Sequence, residues 1–149
     1  MDFDLTPEQE LIRDTVRTFA RERVEPLAAE LDLTGRFPYD LVTELAELGL
    51  MGLPVPEQYG GAGGDTVSYA IAIEELTRID SSVAITVAAH TSLGTMPILL
   101  FGSEEQKERW LPDLASGRRL AAFGLTEPDA GSDAGATRTT AELLSLIHI

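Results

Sequence analysis

The sequence predicts a mainly α protein: a helical bundle over residues 1–118, followed at 119–143 by the start of a second, strand-and-turn part. Three observations predict it. Apolar residues recur at spacings of three and four through the first 115 residues, the signature of amphipathic helices. Capping-box patterns, Thr6-Pro7-Glu8-Gln9 and Ser103-Glu104-Glu105-Gln106, open the first and last of these helices. From Arg119 to Leu125 the helical stripe stops, and residues 127–133 are dense in turn formers.

The first helix starts at Thr6, with Pro7 suited to the first helical position. Its apolar stripe is Leu11, Ile12, Val16, Phe19, Ala20, Val24, Leu27 and Leu31, set against Arg13, Asp14, Arg17, Arg21 and Glu22. Pro26 removes one N–H, so a kink is expected there rather than an end, because the stripe runs on to Leu31. A second helix is expected over residues 38–48, with Leu41, Leu45 and Leu48 inward and Gly49 as its stop. Residues 53–64 are too rich in Gly and Pro for regular structure and read as a connecting loop.

Asp65 can cap a third helix to about Arg78, with Tyr69, Ala70, Ile73 and Leu76 in register. Asp80-Ser81-Ser82 starts the next. Residues 83–101 carry no formal charge, a length that raises the question of a membrane span. His90, Thr91, Ser92, Gly94 and Pro97 within it, and acidic rather than basic flanks, argue against one. A central, buried helix of a bundle is the expectation. The last helix runs from Glu104 through Trp110 to about Ser116, ended by Gly117.

Composition narrows the function classes. Apolar residues at 44% and charged residues at 24% are those of a globular chain. A net charge of −14 disfavours nucleic acid and anionic membranes as partners, though not a small phosphorylated ligand held by local N–H groups. With no cysteine, thiolate nucleophiles and cysteine-ligated metals are excluded. The start, Met1-Asp2-Phe3-Asp4, resembles neither a signal nor a transit peptide, so a cytoplasmic location is expected.

Most charged residues read as solvated surface. Adjacent carboxylates such as Glu74-Glu75 and Glu104-Glu105 diverge by about 100° on a helix and do not face one substrate. His90 has no His, Asp or Glu at i+3 or i+4, so no metal pair is expected, and a satisfied core histidine is the plainer reading. No Gly-x-Ser-x-Gly elbow occurs. Phe123 to Ser132, by contrast, combines a turn with the hydroxyls of Thr126 and Ser132 and unencumbered N–H groups. That can cradle a polar heterocycle or a phosphate, or can be an ordinary β-turn.

The run Phe123-Gly124-Leu125-Thr126-Glu127-Pro128-Asp129-Ala130-Gly131-Ser132-Asp133-Ala134 resembles the flavin-contacting signature of the acyl-CoA dehydrogenase family. Further segments are similar to that family in the same order. They are Pro54-Val55-Pro56-Glu57-Gln58-Tyr59-Gly60-Gly61, Ala72-Ile73-Glu74-Glu75-Leu76, Ser92-Leu93-Gly94 with Met96-Pro97-Ile98, Gly102-Ser103-Glu104-Glu105-Gln106-Lys107, and Trp110-Leu111-Pro112. The likeness covers roughly residues 3 to 142.

The resemblance implies a helical N-terminal domain followed by the first strands of a β-barrel-like middle domain, incomplete here. It implies an FAD enzyme that oxidises acyl-CoA to trans-2-enoyl-CoA. In that family a glutamate takes the α-proton, the β-hydrogen leaves as hydride to flavin N5, and electrons pass to an electron-transferring flavoprotein. A homotetramer is the usual assembly. Carried over by position, Phe123, Gly124, Leu125, Thr126, Gly131 and Ser132 would contact the flavin. Ser132 would also meet acyl-CoA, with Ala89, His90 and Leu93 as pocket candidates. Asp129 stands where the family often has Gly or Asn, tolerable if that position needs a positive φ.

The likeness stops near Leu143; residues 144–149 read as foreign to the pattern. The family's base glutamate belongs to its later part, so no residue here is named as catalytic and none as a metal ligand. These residues alone are expected to be inactive. A non-catalytic helical interaction module, and an acyl-CoA oxidase or nitroalkane oxidase on the same fold, remain open alternatives.

Overall fold

The computed structural model describes residues 4–140, and the chain is mostly helical over them. Residues 141–149, which include the end of the expected 119–143 segment and the tail 144–149, lie outside the described residues. Helix α1 (Pro7–Phe19) opens on the expected box: Gln9 N–H donates to the Thr6 hydroxyl, and the Gln9 side chain accepts from Thr6 N–H. The same Gln9 amide donates to Asp65 at 2.9 Å, and Asp65 caps α4 (Thr66–Thr77). Eight residues further along α1 and ten along α4, Arg17 grips Glu75 through two hydrogen bonds of 2.8 and 3.0 Å. The nearly constant separation, 56 residues at one contact and 58 at the other, means that α1 and α4 run parallel, side by side.

Two prolines shape the long helices. A wide π-turn, Ala20–Val24, precedes α2 (Glu25–Thr34), and a second, Ala89–Thr95, separates α5 (Ser81–Ala88) from α6 (Met96–Phe101). Pro26 and Pro97 each sit early in the helix that resumes. A proline ring collides with the carbonyl four residues back in an α-helix, and a π-turn spreads the backbone at that point. At Pro26 the helix does not end, as expected: it runs on as α2, with the π-turn directly before it.

Helix α3 (Tyr39–Glu47) buries Leu41, Val42 and Leu45, and α5 buries Val83, Ala84 and Val87. With Val16, Phe19, Val24, Leu31, Leu50, Met51, Leu53 and Leu76 these make the main core. A smaller cluster of Val55, Tyr59, Leu111 and Ala115 joins α7 (Glu104–Ala115) to the loop at residues 53–64.

Several expectations change. Leu11 is 67% exposed and Leu48 and Ala70 also face outward, whereas Val42 and Ala72 are buried. Glu75 is not on a solvated face; it is 5% exposed against Arg17. The helix Ser81–Phe101 is long and apolar enough to cross a membrane, yet only a third of its apolar window is buried. It is central at Val83, Val87 and His90 but not buried all round, since Ile85, Leu100 and Phe101 (85% exposed) lie on the surface.

The 53–64 loop is a packed element rather than a tether. N–H groups of Ala62, Gly63 and Gly64 donate back to Gly52, Val55 and Leu53. A Cβ on Gly61 would lie 2.0 Å from the Val55 carbonyl oxygen, so only glycine lets the loop close. Tyr59 then reaches Glu104 at 2.7 Å, fastening it to the start of α7. Finally, no strand forms among the described residues of 119–140. The single β-type pairing there is the bridge between Glu127 and Ala130. An extended run becomes a strand only through a ladder partner, and none of the described residues supplies one.

Candidate functional site

The site candidate begins where α7 ends. Arg118 and Arg119 both pair with Asp113, at 2.6 and 3.2 Å, turning the chain back across the helical domain. Ala121 then crosses the π-turn Ala89–Thr95. A Cβ placed on Gly94 would sit 2.1 Å from the Ala121 Cβ and 3.1 Å from its backbone, so the missing side chain at Gly94 is what admits the crossing.

His90 fixes the crossing chemically. It is 1% exposed, its Nε2 lies 3.1 Å from the Leu114 carbonyl oxygen, and its Nδ1 lies 3.0 Å from Ala121 N. A carbonyl can only accept and an amide N–H can only donate. The network therefore assigns neutral imidazole with the proton on Nε2. Burial pushes the His90 pKa down, opposed by the acceptor carbonyls of Leu114 and Met51. The His90 carbonyl, within the π-turn, accepts from the Thr95 hydroxyl at 2.9 Å.

Beyond Ala121 the chain has no regular structure up to the turn at Glu127 and is open to solvent. Phe123, Leu125 and Thr126 are exposed, as are Gly131 and Ser132 on the other side of the Glu127–Ala130 turn. Ala130 is buried and anchors the turn. The Glu127 carboxylate clasps the returning chain, accepting N–H groups of Arg138 at 2.7 Å and Thr139 at 2.9 Å. These bonds hold its pKa below the usual carboxylate range, the Arg138 amide contributing most. Glu127 is thus occupied as a clasp. Asp129 has no positive φ, so its backbone makes no demand for Gly or Asn.

The donor set suits a flavin. Among the described residues, the N–H groups of Leu125, Thr126, Gly131 and Ser132 and the hydroxyls of Thr126 and Ser132 have no protein partner. No atom lies within 4 Å of where a Cβ of Gly124 or Gly131 would be, which leaves the cradle open on both sides of the turn. Fixed N–H and O–H donors around an apolar Phe and Leu match the polar edge and phosphates of FAD.

The structure sorts the remaining candidates. Leu93 is exposed and Ala89 partly buried on the π-turn, while His90 points into the protein with both ring nitrogens engaged. Sequence reasoning did not find Gly94, Ala121 or the clasp of Glu127. Their partners lie 27, 31 and 11 residues away, beyond the reach of local pattern. No group of three His, Cys, Asp or Glu side chains among the described residues could hold a metal.

The helical domain and the donor-rich turn that follows it are placed by comparison with known proteins. The family model for the acyl-CoA dehydrogenase N-terminal domain matches residues 6–118. An acyl-CoA dehydrogenase of Bacillus subtilis is 54% identical over 137 residues, covering 92% of this chain and 36% of that protein. Butyryl-CoA dehydrogenase of Megasphaera elsdenii superposes with a TM-score of 0.87 at 44% identity, over 93% of this chain and 37% of that one. An acyl-CoA dehydrogenase of Bacillus anthracis, solved in complex with FAD, gives 0.82 at 43% identity, over 90% and 23%. The chain belongs to the acyl-CoA dehydrogenase family. It spans a little over a third of the length of the curated relatives it matches.

Proposed function

We propose that these residues are the N-terminal part of an FAD-dependent dehydrogenase that oxidises an acyl-CoA thioester to the trans-2-enoyl-CoA. Residues 1–118 are its helical domain and 119–143 begin its middle domain. The observation that carries the reading is the turn at 123–132, whose donors are turned away from the protein while its own backbone is fixed by Glu127 and Ala130.

Bound there, FAD supplies the hydride acceptor. Phe123 and Gly124 flank it, and Leu125 and Thr126 donate to its polar edge, where charge grows on reduction and preorganised donors stabilise most. Gly131 leaves room for the pyrophosphate beside Ser132. Ser132, Ala89 and Leu93 face the acyl-CoA, with His90 backing them from beneath. No residue among these 149 is assigned as base, and in isolation they are proposed to be inactive. An electron-transferring flavoprotein takes up the electrons, the assembled enzyme is a homotetramer, and its location is cytoplasmic.

The test uses the gene that encodes these residues, expressed whole. A yellow protein whose flavin absorbance is bleached by a saturated acyl-CoA is expected. A colourless protein, or a flavoprotein that acyl-CoA does not reduce, refutes the reading. Stoichiometric FAD with turnover in the 149-residue chain alone refutes the proposed inactivity.

A further inference from the structure

We infer that His90, as the neutral Nε2–H tautomer, is a positioning residue that seats Ala121 on the π-turn and so registers the flavin-facing segment that follows. The functional weight of this latch rests on the flavin reading above; the latch itself does not.

Three observations converge on it. The ring bridges two chain segments at once, donating to Leu114 at the end of α7 and accepting from Ala121 just after it. Both partners are backbone atoms, so the bridge sets the path of the main chain and not merely a side-chain contact. The crossing has one permitted height, because Ala121 rests where a Gly94 side chain would be. The π-turn contributes as well. It carries both Gly94 and His90, and the hydrogen bond from the Thr95 hydroxyl to the His90 carbonyl ties the far end of the turn to the latch residue. Only one residue, Ala122, separates Ala121 from Phe123, so a shift at Ala121 is passed on to the first donors of the loop. The Nδ1 lone pair is what the latch needs. A proton there would set donor against donor at Ala121.

Two isosteric variants separate the bonds. In His90→Asn the amide oxygen stands in the place of Nδ1 and can still accept from Ala121. In His90→Gln the amide nitrogen stands in the place of Nε2 and can still donate to Leu114, but nothing accepts from Ala121. Amide exchange of Ala121 is followed by NMR in the 149-residue chain without flavin, with far-UV circular dichroism as a check on folding. Protection at Ala121 is expected to persist in His90→Asn and to fall roughly threefold to tenfold in His90→Gln. The imidazole nitrogens of the unsubstituted chain, observed directly, should show Nδ1 unprotonated.

A proton on Nδ1 would overturn the proposal, as would equal losses at Ala121 in the two variants or full protection in His90→Gln. FAD titration by fluorescence quenching in the product of the whole gene supplies the link to function, with His90→Gln expected to bind more weakly than His90→Asn. Failure of the unsubstituted whole protein to take up FAD counts against the flavin reading alone, because the exchange result is obtained without flavin.

Discussion

Gly94→Ala is the sharpest probe of how the loop is held. The added methyl would meet the Ala121 Cβ at 2.1 Å, whereas carbons rest at about 3.5–4.0 Å, so one segment must move by about 1.5 Å. Overpacking of this kind costs about 1–3 kcal/mol. Replacing a helical glycine by alanine returns up to about 1 kcal/mol of backbone propensity. The net loss is therefore about 0–3 kcal/mol, and it is capped, because residues 119–122 can lift away once seating them costs more than it gains. Ala121→Gly in the same chain removes the 2.1 Å contact and leaves backbone contacts of 3.1 Å, tight but adjustable. Urea unfolding of both single variants and the double variant should give a favourable coupling of about 1 kcal/mol, within the usual range for touching residues. Protection of the residue-121 amide should fall in Gly94→Ala and recover in the double variant. Additive effects, with that amide equally protected in all four chains, would refute the packing argument.

Two further results are expected. The Glu75 pKa is depressed, first by its hydrogen bonds from Arg17, so its contribution is fully present above the unfolded carboxylate pKa of about 4.3 and is lost as pH falls through the lower folded value. Glu75→Gln should cost about 1–2 kcal/mol at pH 7. That deficit should shrink below about pH 4; a pH-independent difference in urea midpoints would contradict the ion-pair assignment. Leu45 is fully buried in α3, and Leu45→Ala should cost about 2–5 kcal/mol by the same assay. A loss under about 1 kcal/mol would mean that α3 is not packed as described.

The helices were legible because their causes are local. Thr6 with Gln9 and Ser103 with Gln106 form the expected capping boxes, and Asp65 and Asp80 cap as their positions suggest. Local pattern was less secure about faces. It placed Leu11 and Leu48 inward, although they lie outside, because a stripe shows which residues are apolar and not how wide a neighbour covers them. It also put Glu75 in solvent, since the guanidinium that neutralises it comes from another helix.

The donor-rich turn was visible as composition: a run of Thr, Pro, Gly and Ser with few side chains in the way. By itself, then, the sequence determined a mainly helical chain, its caps and breaks, and the donor-rich segment at 123–132, all set by neighbours within a few residues. The tertiary structure alone decided that α1 and α4 lie parallel, that the Gly-rich loop at 53–64 is packed, and that Ala121 rests on Gly94 under the lone pair of His90. Those contacts join residues far apart in the chain. Their energy depends on distances of a few tenths of an ångström, which residue order does not encode locally.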